Sequence, residues 1–528
     1  GYFYSKTIEL DNEITLTNNG QQDGMLIKYN AEGTVEWAKV IGGSSFDFIR
    51  SLVVSPDGGY IVGGNFQSSL IELDNGISLY NINTSYSNGM IIKYSAEGES
   101  EWAKAIGGNA TDTITSVATS ADGGYIVGGN FQSRTIELEN GIILANKGSR
   151  DGMLIKCKIK DTISSSIKYG EVIGGNGSDS ITSLVASSDG GYIVGGNFQS
   201  RTIELENGIT LTNKGSYYED GMIIKYNVEG KVEWARVIGG SSRDFITSVA
   251  VSADGGYIVG GWFSSRTIEL ENGITLTNKG DDDGMIIKYS AEGKAEWAKA
   301  IGGNKDDSIT SIAASSDGGY IVGGHFSSST VELDNGITLT SKGNDDGIVL
   351  KYSAEGTVEW SKAIGGNKND YITSVAIISD GGYIVGGYFS STIGLDNGIT
   401  LTNKGYEDGM IIKYDAEGEV EWAKAIGGSY DDSITSVAVS SDGGYIVGGY
   451  FKSSTIELGN GITLTNKGYE DGMLIKYSEE GEAEWAKVIG GSSSDKIETV
   501  AANADGGCIV GGNFYSSTIE LDNGITLS

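Results

Sequence analysis

The chain has one proline (Pro56), two cysteines and one histidine in 528 residues. Each scarcity excludes something. Without proline there is no collagen-like or polyproline spacer. Cys157 and Cys508 lie at different points of the sequence pattern and imply no disulfide framework. A single His325 rules out a centre built from several histidines and leaves no partner histidine for a Ser-His-Asp arrangement. Basic residues are also few: 37 Lys and Arg face 70 Asp and Glu, a net charge of −33. That balance is wrong for nucleic acid or an anionic membrane surface. No apolar run approaches the ~18 residues of a membrane-crossing helix, so no membrane insertion is expected.

What is abundant is glycine, 83 residues, and it recurs in order. The stretch Asp442-Gly-Gly-Tyr-Ile-Val-Gly-Gly449 has eight copies, starting at Asp57, Asp122, Asp189, Asp254, Asp317, Asp380, Asp442 and Asp505. The last carries Cys508 in place of tyrosine. The spacings are 65, 67, 65, 63, 63, 62 and 63 residues. So regular a period marks a repeat architecture.

One unit reads as four short strands: Ser433–Ser440, Gly444–Phe451, Gly472–Ser478 and Glu482–Ile489. All are rich in β-branched and aromatic residues and bounded by Gly-bearing turns. Four antiparallel strands repeated eight times predict an all-β, eight-bladed β-propeller of four-stranded blades. The phase of the ends favours closure over an open solenoid. Residues 20–43 supply only third and fourth strands (24–29 and 34–41). Residues 492–515 supply only first and second strands (496–503 and 507–514). Together they complete one blade and remove exposed edges. The expectation is one domain over 1–528 with a repeat of about 63 residues. The chain starts at Gly1 in mid-repeat, and a trimmed targeting segment is expected.

These three motifs together, Asp-Gly-Gly-Tyr-Ile-Val-Gly-Gly, Asp-Gly-Met-Ile-Ile-Lys-Tyr and Glu-Gly-x-x-Glu-Trp-Ala-Lys, resemble the blade motif of PQQ-type quinoprotein propellers. They are more similar still to SBBP-type β-propeller repeats of bacterial secreted and surface proteins. The resemblance spans the chain repeat by repeat. It implies that the outer-strand tryptophans dock against the neighbouring blade: Trp37, Trp102, Trp234, Trp297, Trp360, Trp422 and Trp485. Tyr169 fills the eighth position, in a unit with a lengthened loop at 160–168. It also implies a secreted or cell-surface location. No quinone site carries over.

Candidate sites gather where second strands end and inter-blade loops run. The long loop between second and third strands contains Thr-Ile-Glu-Leu, Asn-Gly, Ile-Thr-Leu, which reads as an extra hairpin. It serves either as recognition surface or as packing. The inter-blade loop carries an aspartate in every copy: Asp47, Asp112, Asp179, Asp244, Asp307, Asp370, Asp432 and Asp495. Beside two glycines, a carboxylate can lock the turn through backbone N–H groups or ligate Ca²⁺. The aspartate opening the third strand has the same two readings, at Asp23, Asp151, Asp220, Asp283, Asp346, Asp408 and Asp471, with Asn88 in the remaining copy. Its acidic neighbours make it the better cation candidate. The residue after the second Gly-Gly varies most tellingly: Asn65, Asn130, Asn197, Trp262, His325, Tyr388, Tyr450 and Asn513. Rings and amides there suit a sugar or peptide; drift at a tolerant position produces the same pattern.

Glycoside hydrolysis needs two carboxylates in unlike environments. Carboxylates repeated in register fit a scaffold or binder better. The expectation is therefore a non-enzymatic, monomeric module that binds carbohydrate or protein. The alternatives are a scaffold without ligand and a glycan-active enzyme using an axial pocket.

Overall fold

A computed structural model describes residues 21–120, 122–161, 164–215, 217–491 and 493–514, with four short strand segments at 8–10, 14–16, 520–521 and 525–526. Its main elements are eight four-stranded antiparallel sheets, the arrangement of an eight-bladed β-propeller. In seven of these sheets the strands follow chain order, as in Asp432–Val439, Tyr445–Phe451, Asp471–Tyr477 and Ala483–Ile489. Among the described residues the helical elements are single 3-10 turns at hairpin tips, such as Asp74–Gly76. None is long and apolar enough to cross a membrane.

Contacts group the chain into two compact units, Gly1–Ala105 with Gly365–Ser528, and Ile106–Ile364. Each holds four blades. In the first, the ends of the chain share a sheet: Gly24–Tyr29 and Val35–Ile41 supply its third and fourth strands, Asp495–Ala502 and Cys508–Phe514 its first and second. The seam is the register from Leu26↔Gly511 to Tyr29↔Cys508. The strand division expected from the phase of the repeats is thus observed.

The third strand is buried along its whole length, and the second at every residue but the one after its Gly-Gly pair, and this is why they read as continuous apolar runs. Apolar side chains fill the space between neighbouring sheets. In one such core Ile384, Ile411 and Ile426 of one blade meet Val437, Val447 and Ile475 of the next. The paired glycines make the close approach feasible. A Cβ on Gly448 would lie 2.5 Å from Val500 of the following blade, and one on Gly449 would lie 2.0 Å from the Ser433 carbonyl oxygen. Two-stranded hairpins follow each second strand. Their inward residues, such as Ile71 and Leu79, are buried beside Phe66, while the flanking Glu72 is exposed. At the described tips Asn75, Asn272 and Asn397 hold φ of 60°, 64° and 61°, followed by glycines also at positive φ. That is the conformation Asn-Gly supplies at low cost.

Candidate functional site

The strand registers give each blade two distinct ends. At one end Asp432 pairs with Phe451 and Phe451 with Asp471; at the other Val439 pairs with Tyr445 and Tyr445 with Tyr477. The inter-blade loops and the loops from second to third strands share the first end.

There the inter-blade aspartate is fully buried and closes both loops. Asp432 Oδ2 accepts from Gly428 N (2.8 Å) and Ser453 Oγ (2.6 Å); Oδ1 accepts from the backbone N–H groups of Lys452 (3.0 Å) and Ser453 (3.1 Å). Asp47, Asp112, Asp179 and Asp307 repeat the four bonds with their own Gly, Ser and preceding residue. Asp244, Asp370 and Asp495 each accept from the equivalent glycine. Four donors occupy both oxygens, so the chemistry is that of a turn lock.

The aspartate opening the third strand sits against the same loop. Asp471 Oδ2 accepts from Lys467 N (2.6 Å), and a Cβ on Gly490 would lie 2.2 Å from Oδ1. Asp151, Asp220, Asp283 and Asp408 do the same with Lys147, Lys214, Lys279 and Lys404. In this set Oδ1 is buried with no hydrogen-bond partner among the described residues. Burial, aided by the next blade's lock carboxylate, pushes Asp471 up to about 8, Asp220 to about 7, and Asp151, Asp283 and Asp408 to about 6. Burial also raises Asp244, to about 6. In these five copies two carboxylates thus flank the glycine pair, and the third-strand one is shifted toward its protonated form. No group of three or more His, Cys, Asp and Glu gathers as a metal site among the described residues.

The opposite end holds a cluster the motif reading does not bring out. The third-strand lysine is buried between two carboxylates. Lys288 Nζ lies 2.8 Å from Asp254 of the Asp-Gly-Gly turn and 2.9 Å from Glu296 of the fourth strand. Lys225 repeats this with Asp189 and Glu233, Lys93 with Asp57 and Glu101, Lys28 with Glu36 and Asp505. Burial works against the turn carboxylates, but the lysine and backbone N–H bonds outweigh it, holding Asp57, Asp122, Asp189, Asp254 and Asp442 below the usual range.

The outer-strand tryptophans dock here as well. Trp37, Trp234, Trp297, Trp422 and Trp485 donate Nε1–H to the carbonyls of Ala96, Ala291, Ala354, Glu479 and Ala31 in the following blade, at 2.8–3.0 Å. Each ring covers a turn glycine; a Cβ on Gly481 would lie 2.5 Å from Trp422. Tyr169 meets Gly230 in the same way. Trp102 is buried with Lys104 over its ring, and Trp360 lies on its fourth strand opposite Lys351.

The variable residues after the second Gly-Gly are engaged locally. Trp262 stacks on Phe245 (4.6 Å between centroids) and Tyr388 on Tyr371 (5.0 Å), each its cross-strand partner. Asn130 Oδ1 accepts from Ile181 N (3.0 Å) and Asn197 Oδ1 from Ile246 N (2.8 Å), tying successive blades. Asn65 accepts from Arg50 Nε (2.8 Å). His325 is half-buried opposite Ser308, and burial lowers its basicity. Asn513 lies opposite Lys496, with its side chain outside the described residues. Tyr450 differs: Lys496 Nζ stands 3.7 Å over its ring.

That lysine leads to a second set of residues, of which Lys496, Lys452 and Tyr430 break the repeat. Lys496 pairs with Glu470 (3.2 Å), Glu470 with Lys452 (3.6 Å), and Lys452 with Asp431 (2.9 Å). Above them Tyr406, Tyr430 and Tyr469 are 66%, 54% and 67% exposed. With Asp431, Lys452, Ser454, Asn466 and Gly468 they line a cleft of about 630 Å³. It lies at the lock end, between the blade that ends at Ile426 and the blade that begins at Asp432. Where Tyr430 and Lys452 stand, the other repeats hold residues such as Ser45, Ala110 and Gly177, and Gln67, Gln132 and Ser264.

These features define the class of protein: a propeller with a repeated internal frame and one irregular cleft at the lock end. No family model matches the chain. It is 24% identical over 381 residues, 69% of its length, to the regulatory protein FlaEY of Caulobacter vibrioides, of which that stretch is 38%. It is 22% identical over 515 residues, 88% of its length, to an uncharacterized WD repeat-containing protein of Acanthamoeba polyphaga mimivirus, of which that stretch is 34%. The chain thus spans little more than a third of either relative. Among solved structures it is similar to Sqt1 from Chaetomium thermophilum (11% identity, TM-score 0.43, 88% of this chain and 96% of that one). It is also similar to the β-propeller domain of the Trilobed protease from Pyrococcus furiosus (11% identity, TM-score 0.35, 84% and 95%).

Proposed function

We propose that this chain is a non-catalytic recognition module that holds its partner at the lock end of the blades, over the cleft of Tyr406, Tyr430 and Tyr469. One observation carries the reading. The repeated polar residues are spent on holding loops and blades together, whereas this cleft joins two exposed rings, Tyr406 and Tyr469, at a position that is also tyrosine in Tyr86 and Tyr218, to Tyr430 and Lys452, which the other repeats lack. Exposed aromatic residues in a concave site with a few fixed polar groups are the usual marks of a binding surface. The resemblance to SBBP-type repeats and the acidic, cysteine-poor composition support a place outside a bacterial cell. The similarity to a WD repeat-containing protein is compatible with a binding role.

The test is a variant carrying Tyr406→Ser, Tyr430→Ser, Tyr469→Ser and Lys452→Ser. It should melt within about 2 °C of the parent, since surface changes move stability little. It should also lose saturable binding to whatever the parent captures from culture fluid. Identical binding by parent and variant would contradict the cleft as the site, and a parent that captures nothing would leave a scaffold without a ligand.

A further inference from the structure

Resting on that reading, we infer that the tyrosine cleft takes a neutral oligosaccharide, with sugar faces laid against the rings. The rings form walls: Tyr406 and Tyr430 stand 6.4 Å apart at 32°, and Tyr469 flanks Lys452 at 5.8 Å. Rings this exposed and splayed present flat apolar faces that an alternating C–H and O–H surface can cover. The volume of about 630 Å³ falls within the roughly 300–1,000 Å³ of small-ligand sites.

Charge selects for a neutral ligand. The Lys452 and Lys496 ammonium groups are already met by Asp431 and Glu470. An anionic ligand would have to displace those carboxylates in a chain of net charge −33. Peptide addition as a strand is also disfavoured, because that mode needs free backbone groups. Here the N–H groups of Tyr430, Asn466, Gly468, Tyr469 and Glu470 donate to Ser453 Oγ, Ser454 O, Asn466 Oδ1 and, for the last two, Ser493 O. The same bonds hold the loops in place, so stacking would order little that is not already ordered. Ser454 and the phenol hydroxyls supply hydrogen-bonding groups beside the rings, as a sugar requires.

The experiment is a microarray of neutral, sialylated and sulfated glycans, followed by calorimetric titration of the best neutral hit. Parent chain, Tyr406→Ala/Tyr469→Ala, Tyr430→Ala, and the control Tyr217→Ala (an exposed tyrosine in the other unit) are compared. The inference expects neutral glycans to bind, with loss of about tenfold or more in both cleft variants, no change in the control, and little sensitivity to salt. Preference for sialylated or sulfated glycans with strong salt dependence would overturn it. So would a protein captured by the parent and lost in the cleft variants while no glycan binds; that result would overturn the saccharide and leave the recognition role standing. Glycan binding indifferent to the cleft variants would overturn both.

Discussion

Both ends of a blade bury charge, and they do so in opposite ways. At the lock end, carboxylates take backbone N–H donors and face other carboxylates, and burial raises several of them. At the clamp end, a buried ammonium sits between two carboxylates, and the turn aspartate is held low. The first arrangement fixes loop backbones while leaving neighbouring loop side chains free to vary. The second fixes strand to strand and seats the tryptophan of the preceding blade. The contrast explains how the lock end can depart from the repeat: there the frame is made of two aspartates, a serine hydroxyl and backbone, so Tyr430 or Lys452 can be introduced without dismantling it.

The largest expected difference between the ends comes from deleting one charge at each. Asp432→Ala leaves several buried donors unmet and should destabilise by about 3 kcal/mol or more. Lys288→Met leaves Asp254 and Glu296, both about half exposed and able to turn to water, so about 1–2 kcal/mol is expected. Urea midpoints with unchanged slopes would measure both, and a larger loss for Lys288→Met would reverse the comparison.

Acidity should separate the ends by sign. Lock-end carboxylates titrate above their unfolded range, so between about pH 8 and about pH 4 the native chain holds extra protons and its stability rises as pH falls. Clamp-end aspartates lie below that range, so their contribution is present above about pH 4 and is lost below it. Melting temperature should therefore be higher near pH 5 than near pH 8 and fall in stronger acid. A monotonic loss of stability from pH 8 downward would break the assignment.

The smallest effect expected is that of calcium. With both lock oxygens already hydrogen-bonded, excess Ca²⁺ after EDTA should move the melting temperature by less than about 1 °C. A rise of several degrees would make the paired carboxylates cation ligands.

Much of the frame was legible because each signal is local and repeated eight times. Asn-Gly marks the hairpin tips, and the phase of the ends marks the shared blade. The Lys–Asp–Glu clamp was not legible in the same way. Asp254, Lys288 and Glu296 sit on a turn and two different strands, and only the strand register brings them together. The tyrosine cleft was hidden for a related reason. Tyr406, Tyr430 and Tyr469 belong to three loops of two blades, and no motif spans them. The position after the second Gly-Gly drew notice because it varies within a fixed motif. Trp262 and Tyr388 there stack on first-strand neighbours, and only Tyr450 is linked to the cleft by the chain of ion pairs described.

The most direct test of the central claim is amide hydrogen exchange with and without a bound ligand. The account predicts protection at 404–407, 428–432, 452–454 and 466–470, with the Asp-Gly-Gly and Glu-Gly turns of the same blades unchanged. Protection centred on 441–444 and 479–482, at the clamp end, would contradict it.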